Sequence, residues 1–194
     1  MTNAQILGTL STLMLLFSRA NYLNTIFRGR TRPHAFSWLI WGVISSIGFT
    51  AQVTEGAGAG SWSVGFGSFL CYVIFVIALF KGERYIRRGD WIILGVALSA
   101  IPLWVMTKTP VWSVALVCMI DTLGYFPTLR KSWDKPHEET AVTYALSSLC
   151  SLFALLAVEH YTVSTWLYPA VLILSNGFTG AFLMLRRRMI RQHE

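Results

Sequence analysis

The sequence predicts an all-α integral membrane protein with seven transmembrane helices, arranged as two parallel three-helix repeats joined by a linker helix (3+1+3). Three observations carry this. The first is composition. Of 194 residues, 54% are hydrophobic and only 13% are charged, with a mean hydropathy of +0.54. A soluble domain carries about 25% charged residues, so this chain has too few to cover a water-facing surface. The second is a segregation of basic residues into alternate connections. The third is an internal recurrence. Tyr22-Leu23-Asn24-Thr25-Ile26-Phe27-Arg28-Gly29-Arg30-Thr31-Arg32-Pro33-His34 returns, 103 positions on, as Tyr125-Phe126-Pro127-Thr128-Leu129-Arg130-Lys131-Ser132-Trp133-Asp134-Lys135-Pro136-His137. The tyrosine, threonine, proline and histidine fall in register. A fixed-period match of this kind marks a repeat architecture.

A hydrocarbon core about 30 Å thick needs about 20 apolar residues per helix. Seven stretches qualify: Gln5–Phe27, Phe36–Val53, Ser61–Phe80, Trp91–Met106, Val111–Leu129, Thr140–Val158 and Ser164–Leu185. Glu55 to Gly60 is a glycine-rich connection. It lacks the lysine of a phosphate loop and reads as a turn. Lys81 to Asp90 is a charged loop. Thr107 to Pro110 and Glu159 to Thr162 are short turns. No basic region precedes the first apolar stretch, so it reads as a retained helix rather than a signal peptide. Cys71, Cys118 and Cys150 lie in apolar runs without metal-ligand spacing and read as buried thiols.

Fourteen of the sixteen basic residues fall on one side of these seven spans. Arg28, Arg30 and Arg32 follow the first helix. Lys81, Arg84, Arg87 and Arg88 follow the third, and Arg130, Lys131 and Lys135 the fifth. Arg186, Arg187, Arg188 and Arg191 form the tail. The opposite connections hold only Lys108, and Arg19 lies within the first helix. The positive-inside rule places the N-terminus outside and the C-terminus in the cytoplasm. The charge of +7 is thereby explained by orientation in a lipid bilayer, and no nucleic-acid partner is expected. The absence of long tails points to a bacterial inner membrane.

The offset maps helices 1–2 onto helices 5–6 and leaves helix 4 as the linker. The units are 1–90, 91–108 and 109–194. An even number of spans separates the repeats, so both run in one direction about an axis along the membrane normal. Transporters built this way hold their site between the halves, near the midplane. Two repeats in one chain remove the need for a dimer to build a site, and a homo-oligomer remains compatible with it.

This layout, with a basic first loop in each repeat, resembles the PQ-loop superfamily, which includes the SWEET sugar transporters, lysosomal amino-acid exporters and the KDEL receptor. Pro127 sits where that family has a helix-breaking proline, with Thr128 where it has glutamine. Asn24 replaces the proline in the first copy. The bacterial nicotinamide riboside carriers share the layout and, like this chain with its 8 Trp, are Trp-rich. The resemblance implies a SWEET-like carrier of a small polar organic solute (a sugar, nucleoside, vitamin or amino acid) working by alternating access. It also allows a receptor or assembly protein that binds without transport. Counterflow across a sealed membrane separates the two.

Asp121 is the most informative single residue. It lies eight residues before Leu129, about 12 Å from the end of its helix at 1.5 Å per residue. A carboxylate there costs about 2.5–3.5 kcal/mol, and such residues face a cavity or a partner. Arg19 lies at the same depth in helix 1, and the offset places it beside Asp121. The two are expected to face each other as a gate or latch. A static packing pair or a snorkelling arginine are the plainer alternatives. Tyr125 is one turn after Asp121 and shares its face. Pro127 frees a backbone carbonyl and reads as a hinge, or else as a helix end at the interface. Asn24 makes any such hinge asymmetric.

Asn176 is an amide at lipid depth. Carriers resembling this fold put a polar substrate-binding group on the third helix of each repeat, which implies Asn176 and, opposite it, Cys71. An interhelical hydrogen bond would also explain Asn176. Trp41 and Phe49 on helix 2, with Tyr144 and Ser148 on helix 6, complete the pocket candidates. Trp38, Trp41 and Tyr144 fit an interfacial aromatic belt as well. His137-Glu138-Glu139 lacks two-histidine zinc geometry and reads as helix-start capping. No metal or cofactor is expected. No nucleophile stands beside a base, so the chain does not read as an enzyme.

Overall fold

A computed structural model describes residues 1–83, 86–107 and 110–191. Arg84, Lys108 and Thr109, used above to count charges and place a turn, lie outside the described residues. The described chain is all-helical. Seven α-helices run in order: α1 Asn3–Phe27, α2 Ala35–Thr54, α3 Trp62–Lys81, α4 Arg88–Thr107, α5 Pro110–Asp134, α6 Ala141–Leu156 and α7 Val163–Arg191. Short 3-10 helices occupy Gly58–Ser61 and Pro136–Glu138.

The helix ends follow from local chemistry. Thr2 and Gln5 form a reciprocal capping box that starts α1, with bonds of 3.0 and 3.2 Å. Gly29 stops it. At φ +70° it lets Arg30 N–H reach Thr25 O at 2.9 Å while its own N–H bonds Ile26 O at 2.9 Å. That is the Schellman closure, which favours glycine because the left-handed region is closed to most side chains. Gly56 repeats it after α2 at φ +75°, with Ala57 N–H on Gln52 O at 2.9 Å. The glycine-rich connection is thus a helix stop followed by a 3-10 turn.

One boundary differs in a consequential way. α5 does not end at Leu129. It continues through Pro127 to Asp134, so Arg130 and Lys131 are helical rather than parts of a basic loop. Their charges are neutralised inside the protein, as described below, and the helix needs no water there. α6 is shorter than expected at 16 residues, and α7 is longer at 29.

Six helices close a ring. α1 packs on α3, α3 on α2, α2 on α5, α5 on α7, α7 on α6, and α6 back on α1. Among the described residues the backbones of α1 and α2 do not approach each other closely, nor do those of α5 and α6; only long side chains reach across. α4 sits outside the ring against α5 and α2. The core threads the ring through Tyr22, Trp38, Ile44, Val117, Ile120, Tyr125, Tyr144 and Tyr168, all buried. The outer surface is apolar, with Leu13, Phe17, Phe69, Leu79, Met119, Phe126, Leu174 and Phe178 exposed. Among the described residues, three segments are long and apolar enough to cross a membrane: Ala35–Thr54, Gly58–Lys81 and Val163–Ile190. α1 has the length, but Arg19, Asn21 and Asn24 dilute its apolar run. α6 is simply short.

Close approach depends on small residues. A Cβ on Gly8 would lie 2.5 Å from the Ala59 carbonyl oxygen and 2.8 Å from the Ala59 Cβ. The neighbour is largely backbone and cannot swing aside. Gly8→Ala should therefore destabilise by about 1–3 kcal/mol through overpacking. Gly95→Ala, with open space around it, should be neutral or stabilising by about 0.5–1 kcal/mol. Melting temperatures of the two purified variants check the contrast. If Gly8→Ala melts no lower than Gly95→Ala, the contact between α1 and the 3-10 turn is not as tight as described.

Candidate functional site

At the centre of the ring lies a cavity of about 60 Å³. Every ring helix contributes to its wall. Leu15 and Arg19 come from α1, Trp38, Trp41 and Ser45 from α2, and Ser63, Val64, Gly67 and Cys71 from α3. Asp121 and Tyr125 come from α5, Tyr144, Ser147, Cys150, Ser151 and Ala154 from α6, and Pro169, Leu172 and Asn176 from α7. About 10–15 Å³ of such space holds one water molecule, so the cavity suits a few waters. Pockets that enclose small molecules run to about 300–1,000 Å³. The cavity is contracted.

Of the residues singled out from sequence, Asn176, Cys71, Asp121, Trp41, Tyr125 and Arg19 share this wall. Phe49, Ser148, Pro127 and Asn24 do not. Phe49 packs its ring on Gly65 of α3. Ser148 donates to Ile173 O at 2.8 Å, tying α6 to α7. Pro127 is buried within continuous α5. Asn24, at the exposed end of α1, accepts from Arg28 Nε at 3.0 Å. The amide of Asn176 donates back to Leu172 O in its own helix at 2.9 Å, not across to a neighbour.

Arg19 and Asp121 reach the same cavity but do not pair. No ion pair within 4.0 Å joins them among the described residues. The Arg19 guanidinium lies over the Trp38 ring, 5.1 Å from its centroid, and donates to Ser147 Oγ at 3.3 Å. Asp121 is 1% exposed, and its Oδ2 has no hydrogen-bond partner. The expectation of a face-to-face pair is corrected here. The repeat maps Arg19 onto Thr122, and one residue along a helix turns the side chain by about 100°.

Toward the basic end the cavity is floored by aromatic rings. Tyr22 meets Trp38 at 4.9 Å, Trp38 meets Trp41 edge-on at 5.2 Å, and Trp41 meets Tyr125 at 4.7 Å. Tyr125 continues to Tyr144 at 6.4 Å. Trp41 settles into a notch at Gly124, where a Cβ would come within 2.9 Å of the indole nitrogen. Trp41 and Tyr144 are thus part of the floor, and both are buried.

Below the floor is a set of buried ion pairs that the sequence reading missed. Lys131 of α5 bonds Glu139 Oε1 at 2.6 Å and Arg32 O at 2.5 Å. Tyr22 of α1 donates to Glu139 Oε2 at 3.1 Å. Arg187 of α7 donates to the carbonyls of Pro136 and Glu139. Nearby, Arg130 grips Asp90 with two bonds of 2.6 and 2.8 Å, and the Arg87 N–H adds a third at 2.8 Å. His34 Nε2 lies 3.4 Å from Asp90. One network therefore gathers the ends of α1, α5 and α7 with the starts of α2, α4 and α6. The only sequence signal was the scarcity of acids: with 9 Asp and Glu against 16 Lys and Arg, each buried acid becomes a focus.

The electrostatics here are set by burial and partners. Burial works against the Asp90 carboxylate, but the Arg130 and Arg87 hydrogen bonds outweigh it and hold its pKa below the usual carboxylate range. Burial pushes the His34 imidazole below its ordinary 6.5; the Asp90 charge opposes this, and Lys131 and Arg130 reinforce it. His34 is thus neutral at pH 7. Below the ordinary value the unfolded chain takes up a proton that the folded chain resists, so stability falls with pH there. Melting temperature should drop between about pH 7.5 and about pH 5.5, the window in which histidine titrates. His34→Gln should flatten that drop, and an equal drop in the variant would move its origin elsewhere.

The opposite end closes differently. The 3-10 turn Gly58–Ser61 packs on α1, α2, α3 and α6. Ala59 is 2% exposed, and its N–H meets the Glu159 carboxylate at 3.3 Å. No protein-family model, curated protein or solved structure matches this chain.

Proposed function

We propose that the chain is a seven-span membrane carrier that moves a small polar organic solute by alternating access, through the cavity at the centre of its helix ring. The observation that carries this reading is the cavity itself. It has polar and hydroxyl groups where the surrounding helices are most apolar, and a different structure stands at each end of the ring. At one end stand the aromatic floor and the ion pairs. At the other stands the 3-10 turn. Two unlike ends around a polar centre suit alternating access, since each must be able to open while the other stays shut.

The helix contacts support the two-repeat reading. Exchange α1 with α5, α2 with α6 and α3 with α7. The contacts α1–α3, α2–α3 and α1–α6 then become α5–α7, α6–α7 and α5–α2, all of which occur. α3–α6 becomes α7–α2, which also occurs. α4 alone has no counterpart, as a linker would not. An apolar outer surface and basic residues collected at one end of the ring support membrane insertion with that end in the cytoplasm. The SWEET-like resemblance points the same way, as analogy.

The test is counterflow. Purified protein in sealed liposomes, preloaded with one unlabelled solute at a time from sugars, amino acids, nucleosides and vitamins, should accumulate the labelled form of one class transiently. Saturable binding with no counterflow of any solute would replace the carrier by a receptor.

A further inference from the structure

We infer that the solute is a small zwitterion, with its carboxylate received by Arg19 and its cationic group by Asp121. This rests on the carrier reading and names the class of molecule for the same cavity. A guanidinium and a carboxyl line one small space, and no ion pair within 4.0 Å joins them. Arg19 has only a hydroxyl and a ring face for partners. Asp121 is 1% exposed, has the Tyr168 hydroxyl as a hydrogen-bond partner and leaves Oδ2 unpartnered. Opposite charges in a low-dielectric interior attract strongly, so their separation has to be maintained. Trp38 of α2 and Ser147 of α6 hold the Arg19 guanidinium, and Asp121 stands on α5 beyond ion-pair reach of it. The result is one wall that holds an anion-binding group and a cation-binding group unjoined.

A ligand is selected by what it leaves unpaired. A neutral sugar or nucleoside would expel the cavity water and offer the guanidinium and the carboxyl no counter-ion. A ligand with a single charge would leave one of them without. Breaking or omitting one partner of a buried charge is strongly unfavourable. A molecule carrying a carboxylate and an ammonium a few bonds apart satisfies both groups at once. Its carboxylate can take two parallel hydrogen bonds from the guanidinium. Ser45, Ser151 and the Asn176 carbonyl supply further polar wall, and the Trp41 face suits the apolar remainder of the ligand or its ammonium.

The experiment uses full-length protein in detergent and in liposomes. The probes are L-alanine, L-leucine and L-tryptophan, each beside its amide, which keeps only the cation, and its des-amino acid, which keeps only the anion. Binding is read by calorimetry and flux by counterflow. At least one zwitterion should bind at least ten-fold more tightly than both of its singly charged partners. Arg19→Gln should remove that preference over the amide, and Arg19→Lys should restore part of it. If Arg19→Gln does not fold, the wild-type analogue series decides alone. Counterflow of a sugar or nucleoside, with zwitterions inert, would overturn the zwitterion while leaving a carrier. Absence of counterflow for every solute would remove the carrier as well.

Discussion

Replacing Lys131 by methionine should cost the fold about 3–5 kcal/mol, and replacing Glu139 by leucine in the same chain should return most of it. Both side chains are at least 96% buried, at 4% and 1% exposure, so water cannot rescue the widowed partner. Glu139 would be left with the Tyr22 hydroxyl at 3.1 Å, a neutral donor in place of a cation. The double variant removes both charges and the demand for either. Denaturation of the two single variants and the double gives the coupling directly. Additive losses would mean that the pair does not hold the basic end together. Under the carrier reading, the double variant should also transport faster or leak, since it lacks a lock while keeping its shape.

Asp121→Asn should move stability and activity in opposite directions. The amide has nearly the carboxylate's shape and no charge to desolvate. Removing a buried carboxyl with an unpartnered oxygen should raise stability by about 0.5–2 kcal/mol, as changes that relax a strained functional site commonly do. Counterflow should fall by at least about ten-fold, equivalent to about 1.4 kcal/mol of lost interaction. Melting temperature and flux measured on one preparation separate this from a structural role. A variant that melts lower and loses flux in proportion would make Asp121 a packing residue.

What could be read from sequence, and what could not, divides along a physical line. Apolar runs and glycine stops are local, so the seven helices and the turn at Gly56 were legible. Depth along a helix is also local, since residue number measures it at 1.5 Å per step. That is why Asp121 and Arg19, placed at one depth by counting, line one cavity, together with Asn176 and Cys71, which the family resemblance implied. Azimuth and long-range pairing are not local. Counting put Arg19 and Asp121 at one depth but could not turn them toward or away from each other. Asp90 finds Arg130 forty positions away, and Glu139 finds Tyr22 across 117. In the sequence, Arg130 and Lys131 look like the start of a hydrated loop because charge ordinarily means water. With their acids in place they belong to a helix. The hydroxyl pair Ser147 and Ser151, one turn apart in an apolar segment, was a readable signal for the polar wall that went unused.

The peripheral seat of α4 has a consequence for how the molecule is assembled. Under the two-repeat membrane reading, the ring closes through α1–α6 and α2–α5 with α4 laid outside across α2 and α5, so the two halves recognise each other largely through the ring itself. The connecting helix then acts chiefly as a tether. It raises the effective concentration of one half near the other without setting the shape they adopt. A chain cut between Thr107 and Pro110 and produced as two polypeptides should reassemble in one membrane, given enough of each. Continuity of the backbone would then be a matter of stoichiometry: it guarantees equal numbers of two unlike partners.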